Sequence, residues 1–374
     1  MSTNLPELLE HMVEINASDL YITVDASPMF RVEGVTSPWG ESKYTPEETE
    51  ALALSLMSQS QRAYFARRWE MNLAISYPNL GRFRVNLFRQ RGFYGLVFRQ
   101  IKLQIKTIDD LGLPQIFKNL AMTPRGLVIV AGRTGSGKST TLAALIDHRN
   151  ANAPGHIVTV EDPIEFVHFH KMSIVSQREI GIDTHGYVSA LKHTLRQAPD
   201  VILIGEIRDI ETMGAAIDYA ETGHLCLGTL HANNANQAIE RIMNFFPPER
   251  HMQIYLQLSL NLRAIISQRL IPSVEGTRVA AVEILLDSPR VKDLIHKADV
   301  DTLKEAIAQS TLEGMQTFDQ SIFDLYIQGI IDYDQAIAYA DSPNDLRLRI
   351  KMEEVGAKKA ALQTDLKIKR EFRT

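Results

Sequence analysis

The chain holds one cysteine, Cys226, in 374 residues. No disulfide can close within it and no Cys-x-x-Cys metal cluster can form; a reducing, cytoplasmic compartment fits that usage. Long apolar runs are missing too. None approaches the roughly 18 residues of a membrane-spanning helix, so any membrane association has to come through a partner. The opening residues, Met1-Ser2-Thr3-Asn4-Leu5-Pro6-Glu7, lack the basic cluster and apolar core of a secretory leader. A basic excess is absent as well. Forty Lys/Arg stand against 45 Asp/Glu, for a net charge of −5, which argues against nucleic acid as the main partner. No internal repeat or low-complexity block is visible. What remains is ordinary for a globular protein, 45% hydrophobic and 23% charged, and long enough for two or three domains with cores of their own.

The strongest local signal is Gly132-Arg133-Thr134-Gly135-Ser136-Gly137-Lys138-Ser139, which fits the phosphate-loop pattern G-x-x-x-x-G-K-[ST]. Before it, residues 126–131 are almost wholly apolar and read as a buried parallel strand. After it, Thr140 to Ile146 read as the start of a helix. Strand, glycine loop and helix in that order are the context the pattern needs. The glycines let backbone N–H groups turn towards phosphate oxygens, and the helix start adds partial positive charge. Lys138 is placed to reach the β- and γ-phosphates, and the Ser139 hydroxyl to ligate Mg²⁺. The cofactors expected are therefore ATP and Mg²⁺, with Gly132, Thr134, Gly135, Ser136, Gly137, Lys138, Ser139 and Thr140 forming the cradle.

Residues 1–102 alternate short helices and strands, with an amphipathic helix at 4–16, a capping box at Thr45/Glu48 and strands at 72–77, 81–89 and 92–101. They predict an α+β domain with an antiparallel sheet. Residues 103–113 read as a linker. From 114 to 285 the texture is α/β, with polar groups at strand C-termini where parallel sheets bind ligands. A helix is expected over 248–269, followed by a hairpin-like pair at 268–272 and 278–285. Residues 286–343 read as a helical C-terminal region. The tail 344–374 reads as a solvated helix with frayed ends or a disordered basic segment. From Leu346 onward it carries nine Lys/Arg against four Asp/Glu.

Two strand ends offer carboxylates to such a cradle. One is Glu161-Asp162-Pro163-Ile164-Glu165, whose acids repel each other unless a cation sits nearby. The other is Gly205-Glu206, after the apolar run 201–204. His224 and His231 flank the strand 225–230 seven residues apart, with no third nitrogen or sulfur ligand close by, so zinc is not expected. Arg82, Arg84, Arg89, Arg91 and Arg99 make the first domain locally basic, and spacing alone does not choose among them.

Taken together, Gly-x-Thr-Gly-Ser-Gly-Lys-Ser-Thr-Thr-Leu at 132–142, Glu-Asp-Pro-Ile-Glu-Phe at 161–166, Gly-Glu-Ile-Arg-Asp at 205–209 and Glu-Thr-Gly-His to Gly-Thr-Leu-His at 221–231 resemble the type II/IV secretion ATPase superfamily. Ala17-Ser18-Asp19-Leu20, Arg82-Phe83-Arg84-Val85-Asn86 and Gly314-Met315-Gln316-Thr317 narrow the resemblance to the type IV pilus retraction ATPases of the PilT/PilU family, and the extended basic tail is similar to its PilU branch. The resemblance spans essentially residues 1–340. It implies a RecA-like P-loop ATPase core, a PAS-like N-terminal α+β domain and a helical C-terminal region. It also implies a catalytic role for Glu165, an Mg²⁺- and water-organising role for Glu206, nucleotide sensing by His224 and His231, and an arginine pair, Arg84 and Arg99, donated to a nucleotide site. The implied assembly is a cytoplasmic homo-hexamer at the inner membrane, docked on the pilus platform protein, with a paralogous PilT-like ATPase as a further candidate partner. Two rival readings are a low-turnover accessory subunit and a type II secretion-type ATPase; the lone cysteine excludes the tetracysteine site common in the latter. Arg133 inside the loop and Ala198 depart from the family pattern.

Overall fold

The computed structural model describes residues 4–101, 103–353 and 355. The N-terminal part opens with the helix Leu5–Glu14, whose Leu5, Leu8, Leu9 and Met12 fall on one face and are buried. Strands β1 (Asp19–Ile22), β2 (Met29–Val32), β3 (Val35–Pro38), β4 (Glu70–Tyr77), β5 (Gly81–Gln90) and β6 (Phe93–Ile101) form one antiparallel sheet in the order β3-β2-β1-β6-β5-β4. β5 alternates as a half-buried strand should: Phe83, Val85 and Leu87 enter the core, while Arg82 and Arg84 face the other way. The expected capping box is present, with the Glu48 N–H donating to Thr45 Oγ1 at 3.2 Å and the Thr45 N–H to Glu48 Oε2 at 2.9 Å. β3 has no counterpart in the sequence reading, because its four residues are all exposed and carry no apolar alternation.

The second sheet has seven strands: β7 (Gly126–Ala131), β8 (Gly155–Glu161), β9 (Ser173–Glu179), β10 (Val201–Ile204), β11 (Leu225–Leu230), β12 (Leu262–Pro272) and β13 (Arg278–Leu286), in the order β13-β12-β7-β11-β10-β8-β9. Every pairing is parallel except β12 with β13. The strands β7, β10 and β11 are buried at every residue, which is why they read as unbroken apolar runs. Helices on both faces complete a three-layer α/β core. Cys226 lies inside β11, and burial pushes its thiol up, away from reactivity.

Two expectations need correction. The helix expected to reach residue 269 stops at Asn261, and β12 begins at Leu262. Leu262, Ala264, Ile265, Ile266 and Ser267 are buried on both faces beside β7, and periodicity alone cannot tell such a run from a buried helix. The tail expected from 344 opens as a helix, one of its two readings, but not as a solvated one. A helix over 343–353 buries Leu346 and Ile350 against Ile271, Phe318 and Phe323, and the charges on its outer face hid that stripe. The tail beyond residue 355 lies outside the described residues. The helices Pro289–His296 and Leu303–Gln309 share one core cluster with β7 and β11, so this part of the helical C-terminal region is packed onto the α/β core. Ile108 and Leu113 of the expected linker are buried in the opposite cluster, beside Phe117 and Leu145.

Candidate active site

The loop after β7 leads into the helix Lys138–Asn152. Gly137, the residue before that helix, has φ +89°, a left-handed conformation that glycine adopts without strain. A cavity of about 400 Å³ lies over the helix start, lined by Thr134, Gly135, Gly137, Lys138, Ser139 and Thr140 from the loop. The Lys138 ammonium donates to the carbonyls of Gly132 and Arg133, both at 2.9 Å. Burial pulls its pKa below the usual lysine value, while the Glu206 and Glu165 carboxylates pull it back up. Gly132 and Ser136 shape the loop from below and do not line this cavity.

Two strand ends bring acids to the same cavity. β8 ends at Glu161, and Asp162, Pro163 and Glu165 follow it along the wall. β10 ends at Ile204. Gly205 then turns back, its N–H donating to the Val160 carbonyl at 2.8 Å, and Glu206 comes next. A Cβ on Gly205 would stand 3.0 Å from Glu161 Cα and 3.1 Å from the Tyr187 hydroxyl, so glycine suits the close approach of the two acidic strand ends. The three glutamates are not equivalent. Glu161 Oε1 accepts from Thr159 Oγ1 at 2.6 Å and Gln177 Nε2 at 3.2 Å, and burial pushes its carboxyl up to about 7. Glu206 Oε1 lies 3.3 Å from His231 Nε2. Glu165 is exposed at the wall, with no hydrogen bond or ion pair among the described residues.

Of the other predicted residues, His231 reaches the cavity and His224, Arg84 and Arg99 do not. His231 follows the C-terminal end of β11 and lines the cavity; His224 precedes the strand's other end, where the Gly126 N–H donates to its carbonyl at 3.0 Å. The two histidines thus occupy opposite edges of the sheet. Arg84 and Arg99 face each other across β5 and β6, away from the cavity. Arg99 bonds the buried Asp19 carboxylate through Nε at 2.8 Å and Nη2 at 2.7 Å. Arg82 Nη2 lies 3.9 Å from Glu179 Oε2, and Glu179 is paired in register with Glu161. The arginine-rich face therefore abuts the sheet edge behind the acidic loop. Arg133 lines the adjoining cavities, alongside Arg269, Arg278 and Asn233, rather than the one holding Lys138 and Ser139.

Several cavity residues escaped the sequence reading. Tyr187 and His168 are buried, and the Tyr187 hydroxyl and His168 Nδ1 lack hydrogen-bond partners among the described residues. Burial raises the Tyr187 pKa, with Asp162 and Glu206 adding to the effect; burial lowers that of His168 to about 4. Neither belongs to a recognisable motif. Only their position relative to the strand ends marks them.

A phosphate loop at the C-terminal edge of a parallel sheet, faced by two acidic strand ends, defines the RecA-like P-loop ATPase class. The family described as "Type II/IV secretion system protein" matches residues 3–283, and the chain belongs to it. It is 53% identical to the type IV pilus ATPase PilU of Pseudomonas aeruginosa, over 92% of this chain and 91% of that protein. It is 41% identical to the type IV pilus retractation ATPase PilT of the same organism, over 91% and 99% respectively. A solved structure of the pilus retraction motor PilT with bound ADP superposes with a TM-score of 0.85 at 40% identity, covering 92% of this chain and 99% of that one.

Proposed function

We propose that this chain is a subunit of a hexameric, Mg²⁺-dependent ATPase that drives type IV pilus retraction. The observation that carries the proposal is the meeting of Lys138, Ser139, Glu165, Glu206 and His231 around one cavity. The likeness to named pilus ATPases supports it.

In this reading the loop N–H groups and Lys138 hold the phosphates. The Ser139 hydroxyl and the Glu206 carboxylate are hard oxygen donors, which suits a cation that keeps most of its water and takes one or two protein ligands. Mg²⁺, when bound, neutralises charge on the β- and γ-phosphate oxygens. Glu165, unpaired at the wall, accepts a proton from the attacking water. Glu161 is held by Thr159 and Gln177 and serves the wall rather than the chemistry. His231 holds Glu206 and reports on its position. Among the described residues no helix is long and apolar enough to cross a membrane, which fits a cytoplasmic motor held at the inner membrane by the platform protein. A neighbouring copy supplies Arg84 and Arg99, so hydrolysis is felt as motion between the N-terminal part and the core.

One observation favours a second reading, a low-turnover accessory subunit acting beside a paralogous PilT-like motor. Within the single chain the arginine pair stands away from the cavity, and Arg99 is held by Asp19. A retraction assay in a strain carrying Glu206→Ala separates the readings. Lost retraction supports the motor; normal retraction supports the accessory subunit.

A further inference from the structure

The loop is braced from beneath by one buried side chain that belongs to none of the motifs. β12 runs parallel to β7 with Ser267 opposite Ala131, which sets Gln268 beside the first residue of the loop. Gln268 is 4% exposed. Its Nε2 donates to the Ser136 carbonyl at 2.8 Å, and its Oε1 accepts from Thr141 Oγ1 at 2.7 Å. The amide can sit only one way round: a carbonyl cannot donate, so the NH₂ must face Ser136. A Cβ on Gly137 would stand 2.7 Å from Gln268 Nε2. The next residue, Arg269, is clamped by Asp341 at 2.7 Å and by the Phe318 ring. The strand carrying Gln268 is therefore anchored there.

We infer that Gln268 is a positioning residue that presets the phosphate cradle. A trans peptide is planar, so its C=O and N–H point in opposite directions. Holding the Ser136 oxygen down towards β12 turns the Gly137 N–H outward, towards the phosphate cavity. The bond to Thr141 fixes the first helical turn in the same frame, so loop and helix start present their N–H groups together. Without the brace the peptide is free to rotate at Gly137, and the Ser136 carbonyl is left buried and unpaired.

This inference rests on the nucleotide reading of the cavity, and the test separates the two. ADP binding to the full chain is measured by calorimetry for wild type, Lys138→Ala, Gln268→Met and Gln268→Glu. Gln268→Met is expected to raise Kd roughly tenfold as the cradle loses its preset, and to lower the melting temperature of the nucleotide-free protein, because the Ser136 carbonyl is then buried without a donor. Gln268→Glu adds a signature that a structural role would not give. Its carboxylate cannot donate to Ser136, whereas its protonated form can, so its Kd relative to wild type should recover as pH falls from 8 to 6. Wild-type affinity in Gln268→Met, beside weak binding by Lys138→Ala, would overturn the inference alone. A pH-independent ratio for Gln268→Glu would also overturn it, and would do so if the Met variant failed to fold. No ADP binding by the wild type would sink the nucleotide reading and this inference with it.

Discussion

Glu161→Gln should make the protein more stable at alkaline pH and change little in acid. Burial raises the Glu161 carboxyl from 4.5 to about 7 in the folded protein. A raised carboxyl means that the folded state binds a proton more tightly than the unfolded chain. The associated stability is complete below about pH 4.5 and is lost as pH rises through 7. Each pKa unit corresponds to about 1.4 kcal/mol, so the ionised carboxylate costs about 3 kcal/mol by pH 8 and about 1 kcal/mol at pH 5. Glutamine removes the titration and keeps an oxygen for Thr159 and Gln177. The melting temperature of the variant relative to wild type should rise by roughly 5 °C between pH 5 and pH 8, measured by calorimetry without nucleotide. A gap that does not change with pH would refute the reasoning. The same experiment bears on catalysis: Glu161→Gln should retain most of the turnover, because Glu165 is the free base.

Three further outcomes follow from the geometry. His168, held neutral with its pKa depressed to about 4, should weaken the fold as pH falls from 6.5 towards 4, by about 3 kcal/mol; His168→Phe should flatten that acid limb in a pH series of melting curves. Asp19→Ala removes the buried carboxylate that holds Arg99 and accepts from Ser18 Oγ at 2.8 Å. It should destabilise the N-terminal part by about 2 kcal/mol in urea titrations, and unchanged stability would show the pair to be idle. Leu346→Ala should cost about 2 to 4 kcal/mol by the same measurement, because the side chain is fully buried against the C-terminal helices; an unaffected midpoint would show that the helix over 343–353 does not dock.

Much of the site was legible because its parts are local. A glycine loop between an apolar strand and a helix, and acids at strand ends, are written in consecutive residues. What was not legible depends on where strands begin and which edge they reach. The run 262–267 read as helix because a strand buried on both faces shows no period of two, and although Gln268 opened the expected hairpin, nothing local set it beside the glycine loop. The separation of His224 and His231 was in reach of arithmetic: a six-residue strand spans roughly 20 Å, so two residues flanking it cannot share one site. Only the family resemblance singled out Glu165 over Glu161; no local pattern shows the difference, since it comes from Thr159 and Gln177 closing over one acid and leaving the other open. Arg133 stands inside the loop, yet it lines the adjoining cavities rather than the one that holds Lys138 and Ser139.

The central claim is that hydrolysis takes place at the cavity between the phosphate loop and the two acidic strand ends. The most direct measurement is steady-state phosphate release from ATP by the purified full chain with Mg²⁺, comparing wild type with Glu165→Gln. The account predicts measurable wild-type turnover and a loss of at least about 100-fold in the variant, the range expected for removing a general base, with ADP affinity retained. Equal turnover by the two proteins would contradict it.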